Sequence, residues 1–328
     1  MMKRIPPLLL ALILLILPLF SGCAREKSED GSGIKILCVN FALYDFASHI
    51  VGDCGRAEML ITPGVDSHDT ELTLGDIAKI AGAELFVYNG GEDDEWCYDV
   101  LDSLEEYSEK PQTLRVMEFV PLLAEEDEHG HDRAHTHEHD DDDAHAAFEG
   151  FDEHTWTSIP NAVTILRAIC AKLSEMHPEY SDAFAANRDS YIAELDEIDA
   201  ELRELAANAR TKTLVFADRF PMRYFAEEYG FDHIAAFSGC TSNTEPTLSA
   251  VAEIADAVVN GGARGLLTVE LSDKKCASAV REALGDGAEC EIYELHSAHN
   301  VTKEDYDAGV SYAELWRRNI SVLGKVLN

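Results

Sequence analysis

Two short segments each place a histidine where metal chemistry could occur. The first, TPGVDSHD (residues 62–69), contains a Pro-Gly turn after an apolar run and carries His68. The second, DEHTWTSIPN (residues 152–161), carries His154 just before a helix that we predict over residues 160–175. Imidazole is a common zinc ligand, and histidines from distant loops can meet in one cleft. A single histidine is more typical of a surface position. Whether these two histidines bind a metal therefore depends on the elements that position them.

A third histidine-bearing segment lies between these two. EEDEHGHDRAHTHEHDDDDAH (residues 125–145) shows no steady hydrophobic period and is too charged to be buried. We predict a loop over residues 124–147 that is disordered without metal. A solubilising loop is the alternative, but histidines among so many carboxylates favour transient binding of divalent cations. The histidines are His129, His131, His135, His137, His139 and His145.

The elements that would position His68 and His154 alternate between strands and helices. Apolar runs such as ELFVYNGG and TKTLVFAD predict strands, and helical patterns separate them in both halves of the chain. This alternation indicates parallel sheets with crossover helices. Because ligands gather at the carboxyl edge of such sheets, a histidine after the second strand is well placed. The sequence therefore predicts an α/β fold.

A long helical segment lies between the two halves. Residues 177–210 contain no glycine, and their only proline, Pro178, suits the first position of a helix. Apolar residues recur three or four positions apart, which is also compatible with a coiled coil. With α/β units on both sides, we favour a rigid spine. We predict two lobes, each with a mostly parallel sheet flanked by helices, at residues 34–176 and 211–328.

The N-terminus predicts the location of the protein. A basic start, an apolar run and LFSGC form a signal peptide over residues 1–22. LFSGC resembles the lipobox of bacterial lipoproteins, in which the cysteine, here Cys23, is acylated and becomes the mature N-terminus. The polar, Gly/Ser-containing residues 23–33 are typical of a flexible tether. We therefore expect an extracytoplasmic protein that is anchored to the cell membrane by lipid.

Charge and cysteine content exclude several classes of function. The 328-residue chain has 62 acidic and 26 basic residues and a formal net charge of −36, so nucleic acid is an unsuitable partner. No C-x-x-C pair is present, which argues against a zinc ribbon or a thioredoxin-like site. We expect most cysteines to be small buried residues. GGEDDEWC (residues 90–97) predicts a solvated turn whose Trp96 packs into the lobe.

Taken together, these segments resemble the metal-specific solute-binding proteins of ABC importers, the zinc and manganese receptors. The resemblance extends over essentially the whole mature chain. It is carried by the lipobox, TPGVDSHD, AELFVYNGG, the histidine-rich tract, DEHTWTSIPNA, VFADRFPMRYFAEEYG, the TEPT stretch and SYAELWRRNISVL. It implies two α/β lobes joined by one rigid helix, with metal bound in the cleft between them. His68 and His154 match the first two metal histidines of the family.

The other two ligand positions depart from the family pattern. Where the family has a histidine or glutamate before an aromatic-rich helix, this chain has VFADRFPMRYF, in which Asp218 could be the ligand. Asp218 could equally be a helix N-cap or the partner of Arg219. In the last ligand loop, YELHSAHNVT, counting back from SYAELW places His299 nearest the family carboxylate, with His296 close by. A histidine-rich set of ligands favours zinc over manganese.

The resemblance implies a receptor that captures Zn²⁺ and delivers it to the ABC permease of a metal importer, without a chemical step. We expect a monomer that is not an enzyme. A manganese receptor is the alternative within the class. A zinc-dependent hydrolase is an alternative from another class, although H-E-x-x-H is absent. A metal-storage or adhesive surface protein, in which the tract alone matters, is the third alternative.

Overall fold

The strands form two separate four-stranded parallel sheets in the computed structural model, as the alternation of strands and helices predicts. The strand order is β2-β1-β3-β4 in the first sheet and β6-β5-β7-β8 in the second, so the second half repeats the topology of the first. The structure describes residues 33–65, 72–105, 110–125, 148, 150–237, 247–260, 263–285 and 290–328.

The first sheet and its helices take up the chain from Ile34 to Met176. Its strands are β1 (Ile34–Cys38), β2 (Gly55–Met59), β3 (Leu85–Tyr88) and β4 (Gln112–Arg115). Its helices are α1 (Phe41–Val51), α2 (Leu74–Ala81), α3 (Glu95–Glu105) and α4 (Ile159–Met176). The Ser158 side chain accepts a hydrogen bond from the Asn161 backbone and caps α4, and a proline occupies one of its first two positions.

The second sheet follows the long helix. Its strands are β5 (Thr213–Phe216), β6 (Asp232–Ala235), β7 (Gly265–Thr268) and β8 (Glu291–Glu294). Its helices are α6 (Arg223–Tyr229), α7 (Leu248–Val259), α8 (Lys275–Leu284), α9 (Lys303–Ala308) and α10 (Tyr312–Val326). A capping box between Ser311 and Glu314 starts α10.

The long helix between the sheets is α5 (Ser181–Asn208), which follows a short 3₁₀ turn at Pro178–Tyr180. Its 28 residues span roughly 42 Å at 1.5 Å per residue, more than the width of either sheet. It packs against α1, α4 and α10, and it buries Tyr191, Leu195 and Ile198. The predicted connecting helix is therefore present, with its ends inside the predicted range.

One hydrophobic core runs through both halves of the molecule. It contains Ile36 and Leu85 of the first sheet, Leu195 of α5, and Phe216 and Leu267 of the second sheet. Smaller clusters cover the outer face of each sheet. Residues 33–328 form one compact unit. The predicted boundaries between the lobes stay a prediction.

Four of the described strands and helices were absent from the sequence prediction: β4, α3, α8 and α9. β4 exposes Gln112 and Thr113, and the N-terminal part of α3 begins inside the acidic segment that we had predicted to be a solvated turn. The prediction of a solvated turn is wrong at Asp94, which is only 4% exposed. Its carboxylate accepts hydrogen bonds from two backbone N–H groups, and these compensate in part for its burial.

The predicted cysteine environments can be compared with the structure. Cys38, Cys97, Cys170, Cys276 and Cys290 are buried, as expected for small residues of the interior. Among the described residues, no helix is both long and apolar enough to cross a membrane. The predicted signal peptide, Cys23 and most of the tether lie outside the described residues.

Candidate metal centre

His154 lies in the connection between β4 and α4, directly before a short 3₁₀ turn at Thr155–Thr157. Its side chain is buried, and its Nδ1 atom is 3.3 Å from Oδ1 of Asp152. The same oxygen accepts a hydrogen bond of 2.9 Å from the His154 backbone N–H. A proton on Nδ1 would face this carboxylate and place the lone pair on Nε2, the arrangement that carboxylate–histidine–metal sites use.

His299 follows β8 and brings a second imidazole to the same place. The centroids of the His154 and His299 rings are 5.7 Å apart, and the rings are nearly perpendicular. The ring of Trp156 lies 5.4 Å from each of them. The half-buried His299 thus completes a cluster of three aromatic rings, in which two are histidines from opposite sheets.

The backbone of the His299 loop is fixed from both sides. The His299 N–H donates to Oε1 of Glu270, at 3.1 Å, and the His299 carbonyl accepts from the N–H of Phe41, at 2.9 Å. Glu270 also accepts hydrogen bonds from the N–H and the hydroxyl of Ser297. Glu270 directly follows β7 in the second sheet, whereas Phe41 starts α1 of the first sheet. Hydrogen bonds to both halves therefore set the position of His299.

His296 lies in the same loop, but its ring is engaged in a different contact. Its Nδ1 atom accepts a hydrogen bond of 2.9 Å from the backbone N–H of Ala298, so the proton of the neutral ring belongs on Nε2. Its backbone N–H and carbonyl bond to the side-chain amide of Asn319, each at 2.8 Å. In this arrangement neither ring nitrogen offers a lone pair to a metal. These contacts favour a structural role for His296.

Asp218 follows β5 and is also buried. Its Oδ1 atom accepts a hydrogen bond of 2.8 Å from the backbone N–H of Arg219. Its Oδ2 atom accepts from the hydroxyl of Ser272 and, at 3.4 Å, from the N–H of Val269. Asp218 is not a helix N-cap, because α6 begins at Arg223 with Met222 as its N-cap. Through Oδ2, the Asp218 carboxylate thus connects the turns after β5 and β7.

His68 lies outside the described residues, but the turn that leads to it is described up to Val65. Gly64 adopts a positive φ of 84°, which a glycine permits without strain. The Gly64 N–H donates to the carbonyl of Val301, at 2.7 Å, beside the His299 loop. The chain therefore enters the His68 segment directly from a contact with the loop that carries His299.

The described residues on the two sides of the histidine-rich tract pair with each other. Ala124 forms an antiparallel bridge with Phe151, and the Glu125 N–H donates to the Gly150 carbonyl at 2.8 Å. Of the predicted loop over residues 124–147, Ala124 and Glu125 are therefore part of the described structure. Its six histidines lie outside the described residues. Phe151 lies three residues before His154 in the sequence, so the described residues that flank the tract are connected closely to the candidate centre.

Two buried carboxylates, Glu153 and Asp94, lie at the turn of residues 91–94, and Glu153 directly precedes His154 in the sequence. Oε1 of Glu153 accepts a hydrogen bond of 2.7 Å from the Asp93 N–H, and the Glu153 side chain packs so closely on Gly91 that a Cβ there would clash. Burial raises the pKa of Asp94 to about 6. Burial, followed by the charges of Asp93 and Asp94, raises the pKa of Glu153 well above its usual value. Glu153 thus packs against the turn of residues 91–94.

The described residues bring His154 and His299 together but do not by themselves form a complete metal site. No group of three or more His, Cys, Asp or Glu side chains in the described ranges is arranged to hold a metal ion. His68 is outside these ranges, so the predicted set of ligands stays a prediction. Sequence reasoning missed Glu270 and Trp156. Glu270 had a usable signal, because it follows a buried strand at the same sheet edge that drew attention to His68.

Comparison with known proteins gives a consistent result. The family described as "ZnuA: Zinc-uptake complex component A periplasmic" matches residues 36–326. The chain is 27% identical over 324 residues to the zinc-binding lipoprotein AdcA of Streptococcus pneumoniae, covering 98% of this chain and 60% of that protein. It is 26% identical over 320 residues to the high-affinity zinc uptake system protein ZnuA of Bacillus subtilis, covering 96% and 94%.

Solved structures share the fold. The Zn(II)-bound ZnuA-like domain of Streptococcus pneumoniae AdcA has a TM-score of 0.70 at 24% identity, covering 90% of this chain and 99% of that domain. The chain spans about three fifths of the length of the streptococcal relatives that it matches. Because the family match extends over nearly the whole described chain, the protein belongs to the family of periplasmic zinc-uptake complex components A.

Proposed function

We propose that the protein is a lipid-anchored extracytoplasmic receptor that captures Zn²⁺ between its two halves and delivers it to the permease of an ABC importer. The single observation that carries this proposal is the contact between the rings of His154 and His299, which come from opposite sheets. Two imidazoles from different loops are a typical beginning of a zinc site. His68 would complete the set, since its segment starts beside the His299 loop.

Zinc is favoured over manganese because the assembled side chains are imidazoles, whereas manganese prefers oxygen ligands. The names of the relatives agree, since AdcA is a zinc-binding lipoprotein and ZnuA belongs to a zinc uptake system. Cys23 would carry the lipid, and the receptor would act as a monomer. Release of zinc would require the permease to disturb the loops, because the continuous core and α5 resist a wide hinge opening.

The hydrolase alternative receives little support. A catalytic zinc needs an open coordination position and a nearby general base. Glu153, the carboxylate beside His154 in sequence, is buried and accepts a hydrogen bond from the Asp93 backbone. It is therefore committed to the turn that it packs against. The measurement that separates the classes is turnover of ester and peptide substrates, for which we expect none above the level of free zinc.

The test of the receptor proposal uses the soluble chain beginning at residue 24, in a chelator-competition titration with Zn²⁺. We expect one tightly bound zinc per chain. His68→Ala, His154→Ala and His299→Ala should each weaken binding by at least about 100-fold, because each would remove a ligand. His177 lies on the turn before α5. His177→Ala is therefore the matched control and should leave the zinc Kd unchanged. Tight one-to-one binding by His68→Ala would exclude the proposed site.

Delivery needs a separate experiment. Cells that contain the importer should take up radioactive zinc at low concentration only when the chain is present. Cys23→Ala should reduce this uptake without changing the zinc affinity of the isolated chain, since the lipid serves only to hold the receptor near the permease. Equal uptake with and without the chain would argue for metal storage instead of transport.

A further inference from the structure

Asn300, the residue after His299, has the contacts of a positioning residue. It is 2% exposed, and its side-chain amide uses both of its polar groups. The Nδ2 group donates to the carbonyls of Thr62, at 2.9 Å, and Val65, at 2.7 Å. The Oδ1 atom accepts from the N–H of Val301, at 2.8 Å. One amide thus binds both ends of the four-residue turn that follows β2.

These contacts connect the two sheets at the metal centre. Thr62 and Val65 lie in the turn after β2 of the first sheet, whereas Asn300 lies in the loop after β8 of the second. The Gly64 N–H, inside the same turn, donates to the Val301 carbonyl at 2.7 Å. A buried backbone carbonyl that loses its hydrogen-bond donor costs free energy. The turn after β2 and the loop after β8 should therefore hold each other in one arrangement.

The hydrogen bonds of Asn300 affect the position of the adjacent residue, His299. The His299 ring meets His154 of the first sheet, so its position depends on how the His299 loop sits on that sheet. Glu270 fixes the loop from its own sheet through the His299 N–H. Asn300 supplies two of the hydrogen bonds that fix the loop to the opposite sheet. Removing them would leave His299 attached to β7 but less precisely placed against His154.

We propose that Asn300 is a positioning residue that holds His299 opposite His154 for zinc binding. This inference rests on the proposed function, because it assumes that His299 is a zinc ligand. Asn300 itself does not contact the metal. It acts through His299, so its contribution to zinc affinity must vanish when the imidazole of His299 is absent.

A double-mutant cycle tests this dependence. Zinc Kd values are measured for the soluble wild-type chain, Asn300→Ala, His299→Ala and the double variant. We expect Asn300→Ala to raise the Kd by about 10-fold in the wild-type background, the lower end for partners that orient metal ligands. In the His299→Ala background it should change the Kd by less than about twofold. The extra loss should appear as faster zinc dissociation, because the rings must be held together to retain the ion.

Two further variants keep the test decisive. Asn300→Ser keeps one donor that can reach a carbonyl, and it should give a Kd between those of the wild type and Asn300→Ala. Asn187→Ala removes another buried-carbonyl contact, the 3.0 Å hydrogen bond from Asn187 to Ile50, and should lower stability without changing the Kd. This control distinguishes the loss of any buried hydrogen bond from the loss of the hydrogen bonds that Asn300 makes.

The outcomes are distinct. An equal effect of Asn300→Ala in both backgrounds would overturn the proposal and assign Asn300 a general structural role. An effect that persists without His299 but disappears in His68→Ala would also overturn it, since the turn after β2 leads to His68. If His299→Ala alone leaves zinc binding intact, the proposed site fails before Asn300 is considered. If Asn300→Ser has the unfolding midpoint of the wild type, its change in zinc Kd does not arise from a folding defect.

Discussion

The imidazole rings of His154 and His299 meet nearly at right angles, with their centroids 5.7 Å apart, although one residue lies in the loop before α4 and the other in the loop after β8. The contact depends on the way the loops before α4 and after β8 bond to each other. The indole N–H of Trp156 donates to the Ser297 carbonyl at 2.8 Å, and the Tyr312 hydroxyl donates to the Trp156 carbonyl at 2.5 Å. Hydrogen bonds between these two loops therefore hold the buried His154 and the half-buried His299 together.

The two histidines of the last loop should behave differently. His299→Ala should raise the zinc Kd by at least about 100-fold, whereas His296→Ala should raise it by less than about 10-fold, because the Nδ1 atom of His296 already accepts a hydrogen bond from Ala298. His296→Ala should instead lower the free energy of unfolding by about 1–3 kcal/mol, since a buried donor loses its acceptor. Chelator competition and urea unfolding give the two values. Equal losses of zinc affinity would make His296 a ligand.

Asp218 should prove structural. Asp218→Asn should lower the free energy of unfolding by about 1–2 kcal/mol, because an amide cannot accept all the hydrogen bonds from Ser272, Val269 and Arg219. The zinc Kd should change by less than about threefold. Ser272→Ala is the matched variant, and the two changes together should cost less than their sum, since they remove the same contact. A large loss of zinc affinity in Asp218→Asn alone would restore it as a ligand.

The histidine-rich tract should affect the rate of capture more than the final affinity. Replacing residues 126–147 with a short Gly-Ser linker keeps the bridge between Ala124 and Phe151. We expect the Kd of the tight site to stay within about twofold, and weaker additional zinc binding to disappear, because the removed imidazoles and carboxylates are metal ligands. Stopped-flow zinc association should become slower as the local negative charge falls. Loss of the tight site would show that the tract itself holds the metal.

Asp94 should give the stability a measurable pH dependence. Burial raises its pKa from 3.8 to about 6. Between these two pH values the folded chain keeps a proton on Asp94 that the unfolded chain releases. The stability contributed by this proton is present below pH 3.8 and is lost as the pH rises to about 6. Asp94→Asn does not titrate, so above pH 6 it should be more stable than the wild type, by on the order of 2 kcal/mol.

Urea unfolding of the zinc-free chain at pH 4 and pH 7 measures this difference. Asp102→Asn, on the exposed side of α3, is the control and should follow the wild type. A parallel loss of stability in Asp94→Asn and the wild type between the two pH values would contradict the assignment.

Much of the fold was predictable because its signals are local. The runs that predicted β3 and β7 are rich in apolar residues, and both strands are buried at every position. β4 carried no such signal, since two of its four residues are exposed. The 3₁₀ turn at Glu92–Asp94, before α3, differs from the predicted solvated turn because burial of Asp94 depends on backbone donors that no local pattern reveals.

The candidate site was predictable where a sequence motif carries a ligand. It was less predictable where tertiary contacts determine the role of a residue. His154 and His299 were selected from their segments, and the structure brings their rings together. The occupied Nδ1 of His296 and the bonds of Asp218 depend on loop geometry, so sequence alone left their roles open. Asn300 and Glu270 act across large separations in sequence, which a reading of neighbouring residues cannot reveal.

The position of Trp156 has a practical consequence. Its indole ring is buried and lies 5.4 Å from the rings of both His154 and His299, whereas Trp316 packs against Phe225 and Tyr312 of the core. Indole emission responds to the charge and polarity of adjacent groups. The protein thus contains an intrinsic fluorophore beside the two imidazoles, and the emission of Trp156 can report their occupancy without any added label.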